Sequence, residues 1–352
     1  MYLQKANTGP MKELRKLNAI RAIAALIVLV SHYSNESGMF GGLLGGGAGQ
    51  IGVMIFFVLS GFLMAAIYMR SGVTSHSALN FLVSRAARVL PLYFAVVVIF
   101  FCASRLGFEN PYGFSSGGWL LVHLLLIDGV SVFWTIPAEV QFYLFFVLVW
   151  LAHTGFPKVT LALLATIATG ILAFQGGLIM EIHPFGVNAQ WMLLRSLPAF
   201  LIGALLGRFY TLFGESARFQ SSGFLVICGS VVLLFPEIYA LLAGERHGSW
   251  SDWWVLGGVI ASFGVCVFFV PDNNKFLSNR VFDYLGNISY SIYLLHVVVL
   301  HAFEGLISQF PYLGFIAFFG ATILVSTVSY HLFEVPCRRF IRARFHSAVP
   351  PS

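Results

Sequence analysis

Apolar runs of roughly 17–25 residues recur along the whole chain, each long enough to cross a bilayer as a helix. In hydrocarbon every backbone N–H and C=O must be satisfied internally, so such runs fold as helices rather than open strands. Hydrophobic residues make up 58% of the 352 residues and charged residues only 10%, where a soluble domain has about 25% charged. No stretch is polar enough to form a soluble head. The expected fold is therefore an all-α polytopic membrane protein. Spanning helices are expected at about 17–35, 50–69, 89–106, 135–153, 158–176, 190–208, 221–240, 253–271, 281–303 and 312–333, ten in all. The segment 118–134, "GGWLLVHLLLIDGVSVF", is apolar but holds His123 and Asp128 and has glycine near both ends. It is expected to be re-entrant or to lie at the membrane surface.

The positive charges test that assignment. With the N-terminus in the cytoplasm, 16 of the 20 Lys and Arg residues fall in cytoplasmic segments, and Arg105 and Arg246 fall outside. Arg21 and Arg195 lie within spans. This is the asymmetry of the positive-inside rule. If 118–134 spanned, every later segment would flip and the basic "CRRFIRARFH" would face outward. Both termini are thus expected in the cytoplasm, and the net charge of +6 is a topology signal. Nucleic acid is not an expected partner. The expected organisation is a cytoplasmic segment over 1–16, a single transmembrane domain over 17–334 and a basic cytoplasmic tail over 335–352. The first apolar run carries internal Arg and His and lacks a small-residue cleavage site, so it does not read as a cleavable signal peptide. Four cysteines without a CxxC pair suggest neither a disulfide framework nor a zinc site, and no metal is expected.

Ionisable groups inside spans are costly and mark interior or wet faces. Arg21 and His32, in "NAIRAIAALIVLVSHYS", are eleven residues apart, which on a helix is within about 20° of three whole turns. Both leave the same face, about 16 Å apart along the axis. That face must look into the bundle or a wet cavity. A structural pair is the plainer alternative, with Arg21 reaching lipid phosphate and His32 held by a neighbouring helix. Arg85 and Arg88, in "SRAARVLPLY", are three apart and share a face. Two guanidiniums there offer a forked donor site for phosphates, or ordinary contacts with anionic lipid. Glu139, in "FWTIPAEVQFYLFF", stands among apolar and aromatic residues and needs a partner, expected to be an arginine or histidine of another helix. Trp134, Gln141 and Tyr143 lie close to it in sequence and could bind sugar hydroxyls or stack on a ring. Arg195 and His296 are further candidates for contact with an acceptor. Glu334 could pair with Arg338 or Arg339 and reads as structural. "GGLLGGGAG" lacks the GK[ST] ending of a phosphate loop and reads as a flexible connection.

Six motifs in order, "LNAIRAIAALIVLVSHYS", "GVMIFFVLSGFLM", "SRAARVLPLY", "FWTIPAEVQFYLF", "YSIYLLH" and "FEVPCRR", resemble those of the membrane acyltransferase-3 family over nearly the whole chain. That family contains O-antigen, exopolysaccharide and Nod-factor acetyltransferases and macrolide acyltransferases. The resemblance implies a multi-pass protein of the bacterial inner membrane. It implies that an acyl group, expected to be acetyl, passes from cytoplasmic acyl-CoA to a hydroxyl of a glycan or glycolipid at the outer side. By the same resemblance Arg21 and His32 match the family's essential pair, and Arg85 and Arg88 its donor-binding arginines. Ser60 and Gly61 match the "SGF" turn of helix 2 and are taken with the cofactor site. Trp134 and Glu139 match the fifth-segment motif, although "TIP" replaces its more usual Ser-Leu run. Some longer relatives carry a C-terminal hydrolase-like domain, so this chain is expected to be the stand-alone form.

The expected mechanism makes His32 the general base toward the acceptor hydroxyl. Arg21 lines the donor channel, and Glu139 fixes the imidazole tautomer. A covalent acyl-histidine is the rival route. A transporter or flippase for a lipid-linked sugar or small solute is the competing class. The sequence names neither the acceptor nor the oligomeric state.

Overall fold

The computed structural model describes residues 15–112, 116–174, 190–214, 220–250 and 252–348. Of the expected 1–16 segment only Arg15 and Lys16 are among them, and Lys5, Lys12 and Arg218 lie outside. The described residues form helices α1 (Arg15–Ser37), α2 (Gly49–Tyr68), α3 (Ser75–Arg105), α4 (Gly117–Leu124), α5 (Thr135–Gly155), α6 (Pro157–Phe174) and α7 (Gln190–Phe213). They continue with α8 (Phe224–Gly229), α9 (Pro236–Ala243), α10 (Trp253–Phe269), α11 (Arg280–Ala302), α12 (Glu304–Gln309), α13 (Pro311–Ser329) and α14 (Val335–Ala348). Short 3-10 turns lie between some of them, and a π turn over Tyr330–Glu334 joins α13 to α14.

Within the described residues all ten expected runs are helical, but the number of helices there long and apolar enough to cross a membrane is seven, or eight if one bent pair is a single span. The run expected at 221–240 is that pair. Phe224–Leu234 and Pro236–Ala243 meet at 87°, because Pro236 lacks the N–H that would continue the helix and forces Phe235 into an extended conformation. Apolar α6 and α10 fall in the shorter class. The segment expected to be re-entrant holds only the eight-residue α4, about 12 Å long, followed by a 3-10 turn that leads into α5.

Two elements run further than expected. Helix α3 begins at Ser75, where Thr74 and Ser77 form a reciprocal capping box, so Arg85 and Arg88 are on the spanning helix itself. The expected tail is helical through Ala348. Pro336 cannot donate to the carbonyl one turn earlier and crowds it, and the wider π turn absorbs that conflict.

Small residues set how close the central helices come. A Cβ at Gly61 would overlap Phe200 O, one at Gly203 would overlap Val58 O, and one at Gly207 would overlap Phe62 O. Helices α2 and α7 therefore touch backbone to backbone, as in membrane small-xxx-small pairs. Gly286 similarly lets α11 meet α1 at Asn18 O, and Gly52 lets α2 meet α1 at Ala24 O. Helix α1 is thus clamped between α2 and α11 on either side of Arg21. Lys16 at its start is completely buried. Its ammonium donates to Val267 O at 2.7 Å and Val270 O at 3.0 Å, satisfying the end of α10.

Candidate active site

Five helices line a cavity of about 70 Å³ in the middle of this clamp, with charged and hydroxyl groups set among apolar side chains. Arg21 comes from α1, and the adjacent Phe56 and Phe57 come from α2 with Ser60 and Leu63 following at steps of three to four along one face. Arg85, Arg88 and Val89 come from α3, Thr135, Glu139 and Tyr143 from α5, and Ser289, Tyr290 and Tyr293 from α11. On α5 the three polar positions are spaced by four, which stacks them on one stripe of the helix. Glu139 Oε1 accepts from Tyr143 at 2.6 Å and from Ser60 at 2.9 Å. Arg21 is steadied by Asn18, whose Oδ1 accepts from it at 3.1 Å, and Asn18 in turn donates to Asp283 at 2.6 Å.

Three guanidiniums therefore face one carboxylate, an excess of two positive charges in a confined, largely protein-lined space. Such a site is mismatched until an anion enters, and guanidiniums pair well with phosphates. A second cavity of about 490 Å³ lies on the other side of α1, lined by Ile20, Ile23 and Ile27 and by the bent α8 region. It is almost wholly apolar and carries no charged side chain.

His32 lies further along α1, and the structure sets it beside His296 of α11. The ring centroids are 4.9 Å apart with planes at 75°. Tyr293 links the two regions: it lines the cavity, and its ring centroid is 6.2 Å from that of His296. Its hydroxyl donates to Val132 O at 2.8 Å, in the turn before α5.

The expected site residues thus divide into groups. Arg21, Ser60, Arg85, Arg88, Glu139 and Tyr143 are brought together at the cavity. His32 and His296 form a separate pair. The structure does not bring Glu139 to His32; Glu139 is engaged by Ser60 and Tyr143 instead. Gly61 does not face the cavity either, but the backbone of α7. Arg195 and Trp134 form a third group with Trp250. The guanidinium is 4.9 Å from the Trp134 ring and 5.3 Å from the Trp250 ring, within cation–π range. Both indoles are buried. Gln141 donates to Leu126 O at 3.2 Å and so steadies the chain after α4. Glu334 is buried and accepts from Ser291 of α11. Among the described residues no group of His, Cys, Asp or Glu could hold a metal ion.

Sequence reasoning missed Ser289, Tyr290 and Tyr293. The signal was present in "SYSIYLLH", where Ser289, Tyr293 and His296 follow helical spacing on one face. It also missed the packing glycines of α7, which the Gly203-x-x-x-Gly207 spacing announces.

The family pattern described as the acyltransferase domain matches residues 14–331. A protein of Staphylococcus aureus strain COL, provisionally named an O-acetyltransferase, is 24% identical over 378 residues, covering 94% of this chain and 58% of that protein. The O-acetyltransferase OatA of Staphylococcus aureus strain NCTC 8325 / PS 47 is 24% identical over 359 residues, covering 92% of this chain and 57% of OatA. This chain spans little more than half the length of these relatives. No solved structure matches it. The matched domain takes in the arginine cavity and the histidine pair alike, and the chain belongs to the acyltransferase-3 family.

Proposed function

We propose that this chain is a membrane O-acyltransferase that moves an acetyl group from acetyl-CoA to a hydroxyl of a glycan or glycolipid. The carrying observation is the convergence of Arg21, Arg85 and Arg88 on one cavity with a single carboxylate. Coenzyme A is a polyanion whose phosphates cannot enter hydrocarbon, and this cavity supplies the counter-charge. The excess of Lys and Arg on the side expected to be cytoplasmic supports a cytoplasmic donor side. The names of the relatives support acetyl as the acyl group and oxygen as its acceptor.

In this reading the phosphates rest on the arginines and the pantetheine arm runs along α1 past Tyr293 toward His32. His32 takes the proton of the acceptor hydroxyl as its oxygen bonds to the thioester carbonyl carbon. The tetrahedral intermediate then collapses, the C–S bond breaks with its electron pair on sulfur, and His32 returns the proton to the leaving thiolate. The products are the acetyl ester and coenzyme A. Glu139, held by Ser60 and Tyr143, keeps the three guanidiniums from repelling one another when the donor is absent.

Reconstituted protein given radiolabelled acetyl-CoA and a glycan acceptor tests this. Label transfer by the wild type, and its loss in His32→Ala with acetyl-CoA binding retained, is the expected result. Transfer by His32→Ala would remove the base, and failure of the wild type to bind acetyl-CoA would favour a transporter or flippase.

A further inference from the structure

His296 is completely buried, without any exposed surface. Its Nδ1 lies 2.8 Å from Tyr293 O and 3.1 Å from Ile292 O, both on its own helix. Carbonyl oxygens only accept, so in the neutral ring the proton is on Nδ1 and Nε2 presents a bare lone pair. That Nε2 is shut off from solvent and has no hydrogen-bond partner among the described residues. A buried acceptor left unpaired is uncommon and calls for an explanation.

The neighbours narrow the choice of donor. Tyr293 has its hydroxyl engaged with Val132 O and Thr135. Ser289, on the same face of α11, donates to Gly286 O. The remaining ring against His296 is that of His32, edge-on at a centroid separation of 4.9 Å. Either nitrogen of a neutral His32 can carry its one N–H.

We propose that His296 is a positioning residue for His32, its Nε2 accepting the N–H of the His32 ring and thereby leaving the other His32 nitrogen bare toward the acceptor hydroxyl. This rests on His32 acting as the general base. The contact calls for rotation of the partly exposed His32 ring toward His296, which is itself held by its two carbonyls. His296 takes the orienting part that the sequence suggested for Glu139. During transfer the hydroxyl O–H bond breaks and its proton goes to the bare His32 nitrogen, making an imidazolium. The N–H directed at His296 then becomes a charge-assisted hydrogen bond and strengthens as the O–C bond forms. His296 neither gains nor loses a proton; protonating its Nε2 would put an uncompensated charge in a dry interior. When the thioester C–S bond breaks, His32 gives its proton to the thiolate and the pair returns to its neutral state.

Full-length protein in proteoliposomes tests this with His296→Phe and His296→Gln. The glutamine amide oxygen can accept the same N–H, and phenylalanine cannot. His296→Phe is expected to lower kcat by about 10–100-fold with KM for acetyl-CoA unchanged, and His296→Gln to recover most of that loss. In ¹⁵N spectra of imidazole-labelled protein, His32 is expected as one neutral tautomer in the wild type and as a mixture in His296→Phe. Wild-type kcat in His296→Phe, or a His32 tautomer indifferent to that substitution, overturns the proposal. Equal losses in both variants, with unfolding temperatures at the wild-type value, overturn it as well. Activity in His32→Ala would sink the base reading instead, and the tautomer spectra would still decide whether the two rings are paired.

Discussion

Tyr143 donates a 2.6 Å hydrogen bond to Glu139, one helical turn before it on α5, and Ser60 of α2 supplies a second at 2.9 Å. The single carboxylate of the cavity is thus fixed by two hydroxyls while three guanidiniums surround it. Tyr143→Phe is expected to cost about 1.5–3 kcal/mol, the range for a hydrogen bond to a charged group, read as a lower unfolding midpoint in detergent. Glu139→Ala is expected to cost more, because it leaves the arginines uncompensated. Added acetyl-CoA should restore part of the Glu139→Ala loss, since its phosphates replace the missing charge.

Arg85 and Arg88 project from one face of α3 into that cavity. Replacing either by alanine is expected to weaken acetyl-CoA binding by roughly 10–100-fold, as removal of one charge-assisted phosphate contact does. Binding measured at rising ionic strength should show a shallower salt dependence in the double variant. Unchanged affinity would return both residues to contact with lipid head groups.

Gly61 offers a contrasting outcome. A Cβ there would overlap Phe200 O, and backbone cannot step aside as a side chain can. Gly61→Ala is expected to destabilise the α2–α7 pair by about 1–3 kcal/mol, seen as reduced folded yield. The protein that does fold should bind acetyl-CoA with wild-type affinity.

Lys16 sits at a helix start where flanking lysines usually mark topology, yet it caps α10. Lys16→Met keeps the bulk but strands Val267 O and Val270 O. Leaving these buried acceptors unpaired should cost about 1–3 kcal/mol and speed hydrogen exchange at the end of α10. Topology reporters at the C-terminus should not change, because the rest of the basic excess remains.

Acid should loosen the segment between α3 and α5. His123, outside the spanning helices, is buried; Nδ1 bonds Trp119 O at 2.8 Å and Nε2 accepts from Val130 N–H at 3.1 Å. Burial lowers its pKa below the ordinary histidine value, so the folded segment favours the neutral ring. That contribution is complete above the unfolded value of about 6.5 and is lost as pH falls below it toward the folded value. Asp128 nearby is shifted upward by burial; its contribution is present at low pH and is lost as pH rises through its raised folded value, so it acts against the histidine. Proteolysis or hydrogen exchange of residues 117–130 should quicken between pH 7 and pH 5, and His123→Gln should remove that pH dependence.

Much of this was legible in the residues themselves. Helical apolar runs, the shared face of Arg21 and His32, and the pairing of Arg85 with Arg88 follow from a fixed 3.6-residue period, which needs no knowledge of neighbours. The short reach of α4 was foreshadowed by its glycines and polar residues. The sequence also carried the break at Pro236 and the Gly203–Gly207 spacing, local signals that apolar counting passes over.

Partners across helices were a different matter. Period tells which face a residue occupies but not which helix meets that face. The sequence points Glu139 to an arginine or histidine of another helix; only packing decided that the hydroxyls of Ser60 and Tyr143 bond it and that His296, not Glu139, lies against His32. Lys16 looked like a flanking charge because nothing local reveals that the end of α10 arrives beside it. Gly61 looked like part of a motif, and the close approach of α7 gave it its job. The sequence alone determined an all-helical membrane chain with Arg21 and His32 on one face of its first helix, since hydrophobicity and helical period act locally. The tertiary structure decided where that face leads, since helices 200 or more residues apart in the chain meet only by packing.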